Sequence, residues 1–566
     1  MIVGLDMGGT HIDGVIIKDN QVINTIKRLT DKDDLLNTIW TTLEELLRDY
    51  DKTKIKRINL STTISTNAIV ENKISQVGMI IQSGPGMKND FTSCLGDIQS
   101  ISGYVDHRGK VVEDVDKVEI HRAIDLFKEN KIKSCAIISK FSTRNPHNEI
   151  NIKEMLKKDF DTITMGHRLS GKLNFPRRVF TSYLNAAVSS TFQDFSTNIK
   201  KSLEKEKIYA PLYILKADGG TMAIETAEER PVETVFSGPA ASFMGMSAML
   251  NIEEDAILLD IGGTTTDIFF LADGIPLYEP LGAKISGYST LVRAIYSVSI
   301  GLGGDSSVYV EDGVILIGPK RMGRPYALGG PQPTPTDAMI YLGLIERPKG
   351  ASKEKAREKA KQAMKILGKE LNITPEEVGA KILDTMADMI KQKTDTLLLE
   401  INSKPVYTIK ELLHGKKINP KSVNIIGGPA NVLSPILEKH YELPCYFPKN
   451  YHVANAIGAA LAKPTMEITM LADTSQNTLS VPQLGVYESI PSTYTLDEAK
   501  ERAIALLKSG AISMGMEEDT MAYEITEASS FNMIDGFRTK GKNIRIQAQI
   551  KPGHILELRR GNKNES

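Results

Sequence analysis

The feature that most constrains the fold of this chain is a pattern that occurs twice. Leu5-Asp6-Met7-Gly8-Gly9-Thr10-His11-Ile12-Asp13 aligns without a gap on Leu259-Asp260-Ile261-Gly262-Gly263-Thr264-Thr265-Thr266-Asp267, and Asp19 then falls on Asp273. Each copy sits between two apolar runs, so each reads as a strand, a glycine turn and a second strand. Repetition of such a unit implies two duplicated domains. With 566 residues the chain exceeds what one hydrophobic core supports, which requires at least two domains in any case.

The turn chemistry suits phosphate. Glycine leaves backbone N–H groups open to close approach, and the threonine hydroxyl adds a donor. A carboxylate ahead of such a turn repels phosphate unless a divalent cation intervenes. Asp6 and Asp260 therefore point to Mg²⁺ held largely through water. A single copy is equally well read as a tight hairpin turn; the pair favours two loops facing a nucleotide, one for the β-phosphate and one for the γ-phosphate. The expected ligands are ATP and Mg²⁺. Gly8, Gly9, Thr10 and His11 are the candidate contacts in the first loop, with Gly262, Gly263, Thr264 and Thr265 in the second.

Strands and helices alternate along the chain, which predicts an α/β fold. Helices are predicted from about Asp31 to Tyr50, with Thr30 or Asp31 as cap, from 181 to Lys205, from Ser352 to Leu371 and from Pro375 to Ile401. A strand at Val423–Ile426 runs into Gly427-Gly428-Pro429 and a helix from Asn431, a platform suited to adenine and ribose. After Thr465 the sequence turns polar and turn-rich, with a charged helix near Leu496–Ser509 and a strand-like stretch at Ile544–Ile550. The predicted domains are an N-terminal lobe at 1–175, a second lobe at 176–465 with an inserted helical region, and a C-terminal appendage at 466–566.

Composition excludes several classes. Lys+Arg 69 against Asp+Glu 70 gives a net charge of -1, without the positive field that holds nucleic acid. Cys94, Cys135 and Cys445 are far apart, with no CxxC pair, so neither a disulfide framework nor a zinc site is expected. No apolar run reaches the roughly 18–20 residues of a membrane span, and the N-terminus opens directly into a strand pattern. A cytoplasmic protein is expected.

Beyond the two loops, the sequence resembles the hydantoinase A / 5-oxoprolinase family of the actin-like ATPase superfamily. The resemblance rests on Ser61-Thr62-Thr63-Ile64-Ser65-Thr66-Asn67-Ala68, Arg144-Asn145-Pro146, Ser237-Gly238-Pro239-Ala240-Ala241, Ser299 through Ser306, Pro333 through Ala338, Gly427 through Ala430 and Ala454 through Ala459. It implies duplicated ribonuclease H-like domains with an ATP cleft between them, plus a small α+β appendage. It also implies ATP-driven opening of a cyclic amide, in which the ring carbonyl oxygen is phosphorylated. A small cyclic amide of the hydantoin, oxoproline or lactam type, a hydantoinase B-like partner subunit and an oligomeric assembly follow from the same likeness. Two other readings stay open: an ATPase that reactivates another protein, and the ATP-using subunit of a ketone carboxylase.

Asp260 is the first candidate for the carboxylate that orients or deprotonates the nucleophile, with Asp6 and Asp267 beside it; Asp6 and Asp260 are also the candidate metal ligands. For Asp267, a strand-end residue bonded to its own loop is an equal reading. Gly427, Gly428, Pro429 and Asn431 are assigned to the nucleoside. Thr62, Thr63, Asn67, Ser237, Gly303 and Asp305 are substrate candidates, though the threonines and Asn67 equally suit helix capping. From Arg293 to Ser306 the chain departs from the family pattern D-I-H-T-I-G-A-G-G-G-S, so the phosphoryl acceptor is left open.

Overall fold

The computed structural model describes residues 1–9, 11–31, 34–87, 91, 96–345, 352–403, 417–514, 516 and 521–559. It divides into two compact units, neither of them continuous in sequence. The first comprises Met1–Ala240, Glu279–Ala294 and Ala459–Leu556; the second comprises Ala241–Tyr278, Ile295–Gly458 and Glu557–Ser566.

In the first unit the sequence pattern Ile2–Met7 is fully buried, as a strand inside a covered sheet must be. It pairs antiparallel with His11–Lys18 and parallel with Arg57–Thr62. The sheet runs Thr221–Ala223, Leu212–Leu215, Arg57–Thr62, Ile2–Met7, His11–Lys18, Gln21–Leu29. Helix Leu35–Leu47 covers it, burying Ile39, Leu43, Leu46 and Leu47 against Leu5 and Ile16. Its cap is Asp34, which accepts from the Asn37 N–H, and not Thr30 or Asp31. Thr30 is used otherwise, its hydroxyl donating to the Gly8 carbonyl at 3.2 Å.

The second unit repeats the arrangement. Ala256–Ile261 pairs antiparallel with Thr266–Ala272 and parallel with Ser422–Ile426, which in turn pairs parallel with Cys445–Tyr446. Each unit thus has a three-stranded antiparallel ribbon followed by two parallel strands, the same order on both. The α/β class and the duplication are evident in this shared order. Helices Lys353–Leu371 and Pro375–Ser403 bury Ala360, Met364, Ile382, Met386 and Ile390 in one core with Leu259 and Ile425.

Residues 467–550 build the α+β appendage, which belongs to the first unit. Its antiparallel sheet runs Val486–Ser489, Thr478–Val481, Glu467–Asp473, Arg538–Ile550, Tyr523–Asp535, and helix Leu496–Ser513 packs Ala503 and Leu507 against Ile546 and Ala548. The Tyr523–Asp535 strand pairs antiparallel with Arg538–Ile550, with register shifts at Ile525/Glu527 and Met533/Ile534. Cys135 and Cys445 are both buried, and Cys94 lies outside the described residues. Among the described residues no helix is long and apolar enough to cross a membrane.

Candidate functional site

The two glycine turns close in the same way. The Gly8 N–H donates to the His11 carbonyl at 3.0 Å, and the Gly262 N–H to the Thr265 carbonyl at 2.9 Å. In both, the aspartates at the two ends of the pattern face each other across the hairpin: Asp6 opposite Asp13, Asp260 opposite Asp267. A cross-strand carboxylate pair is unfavourable unless a cation or proton resolves it.

The two units resolve it differently. On the first, Lys27 from the neighbouring strand places its ammonium 2.6 and 2.8 Å from the Asp13 oxygens. On the second, the strand lying against Asp267 is Val298–Ile300, and the residue opposite is the neutral Ser299. Burial, with the Asp260 charge adding to it, therefore pushes the Asp267 carboxyl up to about 7, against a smaller opposing effect of its hydrogen bond with Ser299. A carboxyl that exchanges its proton near neutrality is suited to act as a general base.

Asp260 is held from elsewhere in the second unit. Ser242 Oγ donates to its Oδ2 at 2.6 Å, and Asn455 Nδ2 lies 3.4 Å from the same oxygen. These two residues belong to helices that touch through glycine. A Cβ on Gly245 would lie 2.1 Å from the Ala454 carbonyl oxygen, and one on Gly458 would lie 2.0 Å from that of Ala241. The family segments Ser237–Ala241 and Ala454–Ala459 thus act on the site through Ser242 and Asn455, neither of which the sequence singled out as a site residue.

Gly303 packs its backbone on the second turn, where a Cβ would lie 2.6 Å from the Gly263 carbonyl carbon. The N–H groups of Gly304 and Asp305 donate to the carbonyls of Gly262 and Gly263 at 3.0 and 2.7 Å. Asp305 is itself fixed, by Arg321 at 3.1 Å and by the Thr336 hydroxyl at 3.0 Å. Gly427 adopts φ +95° at the end of Ser422–Ile426, and a Cβ there would lie 2.2 Å from the Ile261 carbonyl oxygen. Pro429 then caps helix Ala430–Tyr441, leaving Gly428 exposed and Asn431 half-buried at its start. Gly262, Gly263, Thr264, Thr265, Asp267, Gly303, Asp305 and Gly427 so gather around Asp260.

In the first unit Asp6 is buried, with His11 half-buried opening the second strand. Gly9 lies near Asn67, whose Nδ2 is 4.0 Å from where a Cβ would stand. Asn67 Nδ2 donates to Thr63 Oγ1 at 3.2 Å, and Thr63 donates both its N–H and its hydroxyl to the Met7 carbonyl at 3.3 Å. Ser237 is buried, with its hydroxyl on the Thr62 carbonyl at 2.7 Å; the Thr62 hydroxyl accepts from the Ile64 N–H at 3.2 Å. These four side chains brace the first loop. Thr10 lies outside the described residues.

Residues 178–468 match the description Hydantoinase/oxoprolinase, and residues 2–160 match Hydantoinase/oxoprolinase N-terminal region. The chain belongs to the hydantoinase/oxoprolinase family. It is 25% identical over 383 residues to caprolactamase subunit alpha of Pseudomonas jessenii, covering 60% of this chain and 54% of that protein. It is 23% identical over 408 residues to the acetophenone carboxylase gamma subunit of Aromatoleum aromaticum, covering 61% and 53%. With 5-oxoprolinase of Dictyostelium discoideum it shares 23% over 363 residues, 52% of this chain and 28% of the relative. The chain thus spans about half the length of these relatives, or less. Among solved structures, nucleotide-free acetone carboxylase superposes with a TM-score of 0.70 at 14% identity, over 99% of this chain and 88% of that one. The ATP-dependent caprolactamase from Pseudomonas jessenii gives 0.68 at 17% identity, over 97% and 87%. These likenesses place the fold.

Proposed function

We propose that this chain is the ATP-using subunit of an enzyme that phosphorylates the carbonyl oxygen of a cyclic amide, so that water can open the ring. The observation that carries the reading is Asp267, a carboxyl poised near pH 7 beside a glycine turn of phosphate-binding form. The family and its caprolactamase and 5-oxoprolinase members supply the substrate class.

The lactam oxygen attacks the γ-phosphorus, the new O–P bond forms as the bond to ADP breaks, and the ring N–H proton passes to the Asp267 carboxylate. The Gly262 N–H is bonded within the turn, so the backbone N–H groups that follow it, from Gly263 to Thr265, are the ones assigned to phosphate oxygens, and Ser242 with Asn455 orients Asp260. Gly427-Gly428-Pro429 and Asn431 are assigned to the nucleoside, while Gly8, Gly9, Thr10 and His11 are assigned to phosphate.

Mg²⁺ fits the donors present. No group of three or more His, Cys, Asp or Glu able to hold a metal occurs among the described residues, so a cation at Asp6 or Asp260 would keep water and phosphate oxygens as its other ligands. The Asp260–Asp267 repulsion is a negative charge that such an ion would offset. When bound, Mg²⁺ neutralises charge on the phosphate oxygens.

A hydantoinase B-like second subunit would carry the hydrolytic half. The test is ADP release by the purified chain with that partner, Mg-ATP and a panel of hydantoins, oxoproline and lactams. Release that requires an amide supports the proposal. Release that requires bicarbonate and a ketone instead identifies the carboxylase alternative, which the acetophenone carboxylase relative favours. Release that requires only a protein partner identifies a reactivating ATPase.

A further inference from the structure

The first unit contains a cavity of about 90 Å³ that includes none of the residues assigned above. It opens at the C-terminal end of Leu212–Leu215, a strand parallel to Arg57–Thr62 and, through it, to Ile2–Met7. That end of a parallel strand is where α/β sheets receive their ligands.

Its charges are built in. Lys216 and Asp218 are both more than nine-tenths buried and form an ion pair at 3.1 Å. Arg230 lies 3.8 Å from Glu233, and Arg293 lies 3.4 Å from Glu467. Burying this many charges is costly, and packed apolar residues would stabilise a purely structural site as well or better. Lys172 completes the lining, so four cationic side chains face three carboxylates, a surplus of one positive charge. Arg230 Nη2 donates to the Gln483 carbonyl at 2.6 Å, while its Nε is buried with no hydrogen-bond partner among the described residues.

The rest of the wall is mixed, with Thr181, Thr465 and Gln483 on it and an aliphatic patch of Val232, Leu291 and Val292. Since a water needs roughly 10–15 Å³ of such space, the cavity has room for about six to nine heavy atoms. We infer that this cavity binds a small monocarboxylate with a short aliphatic body, its carboxylate taken by Arg230 and Arg293 and its chain laid against Val232 and Leu291. Arg293, where the sequence leaves the family pattern, thereby gains a role in ligand selection.

The assignment goes beyond the nucleotide reading and is tested without nucleotide. Binding of pentanoate, pentanamide and sulfate to the full chain is measured by calorimetry and ligand-observed NMR. Pentanoate should bind, and pentanamide and sulfate should not displace it. Arg293→Gln removes the surplus charge and should weaken pentanoate by tenfold or more, the scale for losing one partner of a buried charged contact. Leu291→Trp fills the cavity without changing charge and should abolish binding while circular dichroism and the unfolding midpoint stay near wild type. The inference is overturned if pentanoate does not bind, if pentanamide binds as well, if sulfate competes equally, or if both folded variants bind as the wild type does.

Discussion

Replacing Asp267 by Asn tests the site in two directions at once. The carboxyl is raised from its ordinary 3.8 to about 7, so between those values the folded state holds a proton that the unfolded state has released. The contribution of Asp267 to folding stability is therefore greatest below about pH 4, falls as pH rises towards 7, and is flat above. A span of about 3 in pH at about 1.4 kcal/mol each sets an upper limit of about 4 kcal/mol, which partial exposure of the side chain reduces to roughly 1–2 kcal/mol. Asn carries no charge, so Asp267→Asn should be more stable than wild type at pH 8, by several degrees in Tm, and nearly equal to it at pH 4. Catalysis should move the other way. Wild-type turnover should rise with pH through about 7 as Asp267 loses its proton, whereas the variant should lose that limb and about 10²–10⁴-fold in rate, the usual contribution of a general base. Calorimetric unfolding at the two pH values and a pH–rate profile read both effects. A variant that is less stable at pH 8, or that keeps the limb near 7, would refute the argument.

Gly427→Ala should destabilise the protein by more than about 2 kcal/mol, because φ +95° and a backbone oxygen 2.2 Å from the new Cβ both oppose it; thermal unfolding checks this. Lys27→Met removes the ion pair that holds Asp13 and should cost about 1–3 kcal/mol, which chemical unfolding reads. Ser242→Ala leaves Asp260 with one fewer donor and should lower turnover more than nucleotide affinity, which steady-state kinetics with a nucleotide-binding titration separates. Gly458→Val should block the approach to Ala241 and reduce soluble yield, since its Cβ would stand 2.0 Å from a backbone oxygen.

The doubled loop was readable because everything it needs is local: glycines for the turn, apolar flanks for the strands, an aspartate at each end. The same locality made the hairpins and most helices readable, and the family segments followed from their order. Tyr523–Asp535 was not readable, since Tyr523, Phe531 and Ile534 stay exposed instead of marking a core face, and pairing with Arg538–Ile550 makes it a strand. Nor did chain order disclose that both units are assembled from separated segments.

The sequence alone established two copies of one strand–glycine turn–strand unit, each with an aspartate at either end of its pattern. It presented Asp13 and Asp267 as equivalents. Only the tertiary structure made them different, by laying Lys27 against one and Ser299 against the other, and by bringing Ser242 and Asn455 to Asp260. A carboxyl's affinity for a proton depends on burial and on charges within a few ångströms, and those neighbours come from distant stretches of chain that no local pattern identifies.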